Sequence, residues 1–212
     1  LKKLGCKIKK VGKRGFDVMG IKKLKPAKHK VIFDRIETGT YIIASALTRG
    51  HIKIKNISPK IISTEISLLK KMGVNIIKKS NYIVVSCLKK LKSTSIVTKP
   101  YPGFPTDLQA QMTVLMTRAE GISKIKESIF ENRFMHVSEL RRMGAQIDIK
   151  GNTAKIFGNS KLNGAEVMAT DLRASVCLIL AGLVARNKTV VNRIYHLDRG
   201  YEKIEEKLSK CG

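Results

Sequence analysis

Residues 140–147 read LRRMGAQI, a pattern in which a basic helix end is followed by glycine and then by a strand. The same pattern occurs as LKKLGCKI at residues 1–8, as LLKKMGVNI at residues 68–76 and, without the strand, as LSKCG at residues 208–212. A glycine at this position tolerates the positive φ that ends many helices, and the preceding lysines or arginines complement the helix dipole. The four copies predict an internal repeat.

The glycines of these copies set the length of the repeat. They are separated by 68, 71 and 68 residues, and they are Gly5, Gly73, Gly144 and Gly212. Because the chain starts and stops at a helix end, we expect it to begin and finish inside a repeat.

The elements between these glycines recur in the same order. Two strands with alternating side chains, as in AQIDIKG and TAKIFG, lead through an extended stretch such as GAEVMA into a helix. A strand such as TVVNRI and a second helix follow, and each second helix has three apolar residues at helical spacing: Ile62, Ile66 and Leu69; Phe134, Val137 and Leu140; Tyr201, Ile204 and Leu208. The pattern predicts an α/β protein built of three βαβαββ units around a pseudo-threefold axis.

The first helices of two units differ in their apolar surface. The helix at residues 172–185 is apolar nearly all round, which predicts that it is buried inside a ring of sheets. In the other, Leu108, Met112, Leu115 and Ala119 fall on one face, which is typical of an amphipathic helix.

Composition excludes several classes of protein. With 212 residues and 43% hydrophobic side chains, the chain can fill one large core or two small ones. Its longest apolar run, residues 176–185, is half the roughly 20 residues that cross a bilayer, and no signal peptide is visible. We expect a cytoplasmic protein with no membrane partner. Four scattered cysteines without a CxxC pair indicate neither a zinc site nor a disulfide framework: Cys6, Cys87, Cys177 and Cys211.

The net charge of +26 raises the possibility of nucleic-acid binding. The charge is mostly Lys, however, and is spread over the whole chain, with only five Tyr, six Phe and no Trp to stack on bases. We interpret the lysines as solvated surface and expect no specific nucleic-acid partner. A basic nucleic-acid-binding module stays open as an alternative.

Three acidic residues open the first helices of their units: Glu37 in DRIETGT, Asp107 in PGFPTDLQAQ and Asp171 in ATDLRAS. Spacing alone favours helix capping, because acids near a helix start gain from free N–H groups and from the dipole. Asp107 stands out, since Pro102 and Pro105 stiffen the loop that leads to it.

Two arginines are predicted at the starts of second helices, Arg133 in FENRFMHV and Arg199 in HLDRGYE, with Asn132 and Asp198 as candidate N-caps. An arginine beside free backbone N–H groups makes a phosphate site, although surface salt bridging is an equal alternative. Arg173 lies near the start of a first helix and joins this group.

Two histidines, His136 and His196, flank these arginines. They have no carboxylate or cysteine partners at ligand spacing, so we interpret them as packing or hydrogen-bonding residues. No P-loop, GxGxxG, HExxH or GxSxG pattern is present.

Taken together and in order, DRIETGT, YPGFPTDLQAQ, ESIFENRFMHVSELRRMGA, GAEVMATDLRAS and IYHLDRGYEKIEEKL resemble the family of UDP-N-acetylglucosamine enolpyruvyl transferases, in its C-terminal half. PTDLQAQ and ENRF separate the chain from the related 5-enolpyruvylshikimate-3-phosphate synthases. The resemblance implies two domains, each an inside-out α/β barrel of three βαβαββ units, with the active site between them. It assigns residues 1–30 to the end of the first domain and residues 31–212 to most of the second, truncated at both ends.

The implied reaction adds the 3-hydroxyl of UDP-N-acetylglucosamine to C2 of phosphoenolpyruvate, protonates C3 and eliminates phosphate, at the start of peptidoglycan synthesis. It implies no metal or cofactor. By this resemblance Asp107 contacts the sugar and acts as a base, Ile129 contributes a backbone contact to the nucleotide sugar, and Arg199 binds phosphoenolpyruvate. The same cleft is lined by Arg133, Asp171 and Arg173.

The family's cysteine general acid and phosphoenolpyruvate-binding lysine belong to the missing N-terminal domain, which is therefore an implied partner. We expect the isolated chain to be inactive. An inactive remnant that binds nucleotide sugar weakly is the second interpretation.

Overall fold

The computed structural model describes residues 1–13 and 15–211, which form two compact units, Leu1–Ile32 and Phe33–Gly212. The assignment of residues 1–30 and 31–212 to a first and a second domain stays a prediction. Gly212, the last of the predicted helix-ending glycines, lies outside the described residues.

The first unit contains one hairpin. A short 3-10 helix, Lys2–Leu4, ends at Gly5, whose φ of 101° is the left-handed conformation that glycine tolerates. Strands β1 (Lys7–Val11) and β2 (Gly15–Met19) pair antiparallel. Every residue of β2 is exposed within this structure, including the apolar side chain of Phe16.

The strands of the second unit form three small sheets. They are β3 (His51–Lys55), β4 (Asn75–Lys78), β5 (Tyr82–Ser86), β6 (Ser95–Val97), β7 (Ile122–Lys126), β8 (Gln146–Lys150), β9 (Thr153–Phe157), β10 (Glu166–Met168) and β11 (Val190–Asn192). The order β3-β5-β4 is antiparallel, and in β6-β7-β9-β8 only the β6–β7 pair is parallel. Strands β10 and β11 form a parallel pair. In β7 the burial alternates along the strand, so one face of this sheet covers the core.

The helices of the second unit alternate with these strands. They are α1 (Arg35–Leu47), α2 (Ser63–Lys71), α3 (Gln109–Thr117), α4 (His136–Arg142), α5 (Leu172–Gly182) and α6 (Ile204–Ser209). The central stretch runs β6-α3-β7-α4-β8-β9, the predicted βαβαββ order, and the elements on either side follow it in part. The α/β fold class is confirmed.

The helix predicted at residues 172–185 ends three residues early, at Gly182, because the chain turns there toward β11. Its central residues are buried, from Ala174 to Leu178 and again at Leu180 and Ala181.

The predicted apolar residues of α3, Met112 and Leu115, are buried, and so is every other residue of this helix. The helix packs against both α1 and α5, so it has no solvent-facing side. Its polar side chains are accommodated by local bonds: Thr113 donates to the Gln109 carbonyl at 3.0 Å, and Thr117 donates to the Val114 carbonyl at 2.7 Å.

The repeated glycines behave as the sequence predicts. Gly73 and Gly144 follow α2 and α4 with φ of 101° and 92°, and basic residues occupy the last turn of both helices. Each glycine N–H bonds to a carbonyl three residues back, which closes the helix end.

Candidate active site

A cavity of about 510 Å³ opens in the second unit where four segments of the chain meet. It is lined by Asp107, Phe130, Glu131, Asn132, Arg133, Met135, Asp171, Leu172, Arg173 and Arg199. Five of the six predicted site residues are therefore brought together. The sixth, Ile129, lines an adjoining cavity of about 700 Å³ that shares the loop around Arg133.

Asp107 is the residue on which the charges of the cavity converge. It lies in a 3-10 turn, Thr106–Leu108, just before α3. Its Oδ1 accepts a hydrogen bond from Arg133 Nη2 at 2.8 Å, and its Oδ2 lies 3.1 Å from Arg173 Nη2. The Asp107 side chain is 38% exposed, so both ion pairs are open to solvent and to a ligand. One carboxylate thus holds two guanidinium groups that come from different segments.

The capping interpretation holds for only one of the three predicted acids. Asp171 caps α5, because its Oδ1 accepts from the backbone N–H groups of Arg173 and Ala174 at 2.7 and 3.0 Å. Neither the 3-10 turn nor α3 has a side-chain cap, so Asp107 is free of that role. Glu37 lies in the first turn of α1, which is capped by Asp34.

Arg133 and Arg199 do not lie at helix starts as predicted. Helix α4 begins at His136 and α6 at Ile204, and Asn132 and Asp198 cap neither. The physical reason at Asn132 is its left-handed backbone, with φ of 51°, which turns the chain before the helix can start.

The two arginines are instead presented by loops. The Arg133 guanidinium lies over the ring of Phe130, 5.2 Å from its centroid. Arg199 is exposed and follows a 3-10 helix, Ile194–His196. Within residues 1–13 and 15–211 it takes part in no ion pair. The cavity therefore has one uncompensated cation beside the two that Asp107 holds.

A buried polar cluster lies beside Arg173. The Tyr201 hydroxyl lies 2.8 Å from Thr40 Oγ1. Gln111 Nε2 donates to both of these oxygens at 3.2 Å. Burial raises the pKa of Tyr201 and the nearby Arg173 charge opposes this shift, so the phenol is neutral beside the guanidinium. Tyr201 was predicted only as an apolar contact of a second helix, and it lies before α6 begins.

Glu127 is a second residue that the sequence analysis did not select. It follows β7 and is 2% exposed. In the structure the side chains of Ser123 and Ile125 point inward along β7 and the same alternation continues to Glu127, but residues 122–126 (ISKIK) show no such alternation in the sequence. A charged residue at an inward position next to a predicted site is a strong candidate for a structural role there.

His136 lies behind the cavity and is 3% exposed. Burial lowers the pKa of His136 to about 4, Asp171 opposes the shift, and Arg133 adds to it. The imidazole is therefore neutral near pH 7. His196, by contrast, is half-buried and stacks near Tyr195, with ring centroids 4.2 Å apart.

We expect the stability of the protein to fall with acid through His136. Its pKa is near 6.5 in the unfolded chain and about 4 in the folded one, so only the unfolded state binds a proton between these values. The free energy of unfolding should fall by about 3 kcal/mol as pH drops from 6.5 to 4. Urea unfolding at several pH values should show a shallower acid dependence for His136→Gln. Equal slopes for the two proteins would contradict the assignment.

No helix in residues 1–13 and 15–211 is long and apolar enough to cross a membrane. Within the same residues, no group of three or more His, Cys, Asp or Glu side chains is arranged to hold a metal ion.

The fold and the cavity define an α/β protein in which arginines from separate loops surround one carboxylate. Residues 1–208 match the protein-family model described as EPSP synthase (3-phosphoshikimate 1-carboxyvinyltransferase). The chain belongs to this family.

Individual relatives are more specific. The chain is 61% identical over 209 residues to the UDP-N-acetylglucosamine 1-carboxyvinyltransferase of Pelagibacter ubique (strain HTCC1062), a match that covers 99% of the chain and 50% of that protein. It is 54% identical over 212 residues to the protein of the same name from Geotalea uraniireducens (strain Rf4), covering 100% of the chain and 51% of the relative. The chain therefore spans about half the length of the curated relatives it matches.

Solved structures agree on the fold. The enolpyruvyl transferase NikO from Streptomyces tendae superposes with a TM-score of 0.89 at 28% identity, over 100% of this chain and 51% of that one. EPSP synthase from Acinetobacter baumannii gives a TM-score of 0.80 at 17% identity, over 100% and 52% of the respective chains. At that identity the second likeness establishes the fold alone.

Proposed function

We propose that this chain, together with a partner half, transfers enolpyruvyl from phosphoenolpyruvate to the 3-hydroxyl of UDP-N-acetylglucosamine and releases phosphate, at the start of peptidoglycan synthesis. The observation that carries the proposal is the Asp107 carboxylate held between Arg133 and Arg173 in a cavity that also contains Arg199. The names and identities of the relatives support the choice of substrates.

Asp107 is proposed as the base that contacts the sugar. An ionised carboxylate has about four lone-pair positions, and the two arginines occupy one on each oxygen. The remaining positions can accept the 3-hydroxyl proton as the oxygen attacks C2 of phosphoenolpyruvate. In the same addition C3 receives a proton, and the tetrahedral intermediate then loses a C3 proton and phosphate, which restores the double bond.

The arginines are proposed to bind the anionic groups of phosphoenolpyruvate. Arg199, which has no ion-pair partner in the described part of the chain, is the cation most available to its phosphate or carboxylate. Arg133 and Arg173 can exchange part of their contact with Asp107 for contact with the leaving phosphate, which stabilises the charge that develops there. Ile129 is proposed to offer its backbone to the nucleotide sugar, and Asp171 to orient Arg173 through the capped start of α5.

The proposed architecture is a two-domain enzyme with the site between domains. Residues 1–30 would end the first domain, and residues 31–212 would form most of an inside-out barrel of three βαβαββ units. The order of elements from β6 to β9 supports this arrangement. The remaining half would supply the general acid and close over the cavity.

The test is a mixture of this chain with the part of the Pelagibacter ubique relative that it does not cover. Phosphate release from UDP-N-acetylglucosamine and phosphoenolpyruvate should appear in the mixture and depend on both substrates. Association of the halves is measured separately by sedimentation. A stable complex without phosphate release would overturn the proposed function and favour an inactive remnant.

A further inference from the structure

The Glu127 carboxylate is buried without a cation. It is 2% exposed, and it belongs to none of the ion pairs formed by residues 1–13 and 15–211. A buried carboxylate without hydrogen-bond partners is strongly disfavoured, so the groups around it have to replace water. Here four donors do so.

The four donors come from three segments of the chain. Oε1 accepts from Thr98 Oγ1 at 2.7 Å and from the backbone N–H groups of Ile129 and Phe130 at 2.8 and 3.3 Å. Oε2 accepts from Thr106 Oγ1 at 2.9 Å. One carboxylate thus joins the end of β6, the turn before α3 and the loop after β7.

These segments lead directly to residues that line the cavity. Thr106 directly precedes Asp107, and the loop through Ile129 continues to Arg133, which binds Asp107. The loop is held further by the Thr98 hydroxyl, which accepts from the Ser128 N–H at 2.9 Å. Glu127 therefore links the segment that carries Asp107 to the backbone at Ile129.

We propose that Glu127 is a positioning residue that fixes the distance between the Asp107 carboxylate and the Ile129 backbone. The consequence for substrate recognition rests on the proposed function, in which both groups address the same nucleotide sugar. Glu127 touches no substrate in this proposal and acts through its hydrogen bonds alone. Its loss should weaken sugar recognition more than it weakens the fold.

Glutamine is the informative conservative replacement. In Glu127→Gln the amide oxygen can keep the Oε1 contacts, and the amide nitrogen can donate to Thr106 Oγ1 if that hydroxyl turns its proton away. Glu127→Ala removes all four contacts at once. We expect the cavity to keep its native geometry fully in the wild type, largely in Glu127→Gln and least in Glu127→Ala.

Glu65 provides a matched control. It is 1% exposed, lies in α2, and contacts Arg35 outside the cavity. Glu65→Ala therefore deletes an equally buried carboxylate that makes no hydrogen bond to Thr98, Thr106 or the backbone of residues 128–130. It should lower the stability and leave the cavity intact.

The first measurement does not require catalysis. In ¹⁵N spectra of the chain alone, Glu127→Ala should shift the side-chain N–H signals of Arg133 and Arg173, while Glu65→Ala should leave both unchanged. In the reconstituted mixture, Glu127→Ala should raise the KM for UDP-N-acetylglucosamine by about tenfold or more, the size of a lost contact to a charged group. Glu127→Gln should recover most of this loss.

The proposal would be overturned if the Arg133 and Arg173 signals of Glu127→Ala matched those of the wild type. In that case Glu127→Ala would only lower the stability, as Glu65→Ala does. If Glu127→Ala does not fold, Thr106→Val removes one of the four contacts and should produce the same shifts at smaller size; unshifted signals in that variant would also overturn it. A stable complex of the wild-type halves without turnover refutes the proposed function, while the arginine spectra still decide the role of Glu127.

Discussion

Residues 1–212 alone should release no detectable phosphate from UDP-N-acetylglucosamine and phosphoenolpyruvate. Protonation of C3 requires an acid, and the described lining of the cavity contains no cysteine, lysine or tyrosine. Cys87 and Cys177 are buried, and burial raises the pKa of both thiols. Loss of a general acid costs about 10²–10⁴-fold, and each missing donor to the transferring group about 10²–10³-fold more.

The measurement is phosphate release over hours at high protein concentration, with the mixture of halves as the positive control. The partner half alone provides the second control, because it lacks Asp107 and the three arginines. Turnover by residues 1–212 alone, resistant to further purification, would contradict the prediction. It would also show that this chain contains a proton donor outside the family's arrangement.

The sequence predicted which side chains line the cavity better than it predicted the secondary structure at their positions. Asp107, Arg133 and Arg173 were selected from helix-start patterns, yet only Asp171 caps its helix. The pattern of an acid or amide before a helix cannot reveal an extra turn of chain. At Asn132 such a turn delays α4 until His136.

The complete burial of α3 was not predicted from the sequence, and its cause is tertiary. The helix contains polar residues such as Gln111 and Thr113, which are usually exposed to solvent. In the structure Gln111 donates to Tyr201 and Thr40, partners that lie 90 and 71 residues away in the chain. No local pattern indicates that such partners exist.

Glu127 is a second residue whose hydrogen-bond partners could not be predicted from the sequence. Its inward position follows from the burial pattern of β7 in the structure, and its hydrogen bonds depend on Thr98 and Thr106. These residues precede it by 29 and 21 positions, and only the folded sheet brings their hydroxyls to one carboxylate. Hydrogen-bond networks of this kind are fixed by the tertiary structure and not by spacing.

Asp107→Asn should separate anion binding from catalysis. The change removes the negative charge shared by Arg133 and Arg173 while keeping the shape of the side chain. Without that charge the two guanidinium groups are less neutralised, so binding of inorganic phosphate to the chain should strengthen. Turnover in the reconstituted mixture should nevertheless fall by about 10²–10⁴-fold, because an amide cannot accept the hydroxyl proton.

The control for this variant is Glu120→Gln, which removes the same charge at an exposed ion pair with Lys90 away from the cavity. Phosphate affinity is measured by ³¹P titration of the chain, and turnover by phosphate release from the mixture. Glu120→Gln should change neither quantity appreciably, since exposed charges are screened by salt. If Asp107→Asn weakened phosphate binding and left turnover intact, Asp107 would be a structural anchor for the arginines. The two opposite shifts expected here arise only if the carboxylate both restrains the arginines and takes the proton.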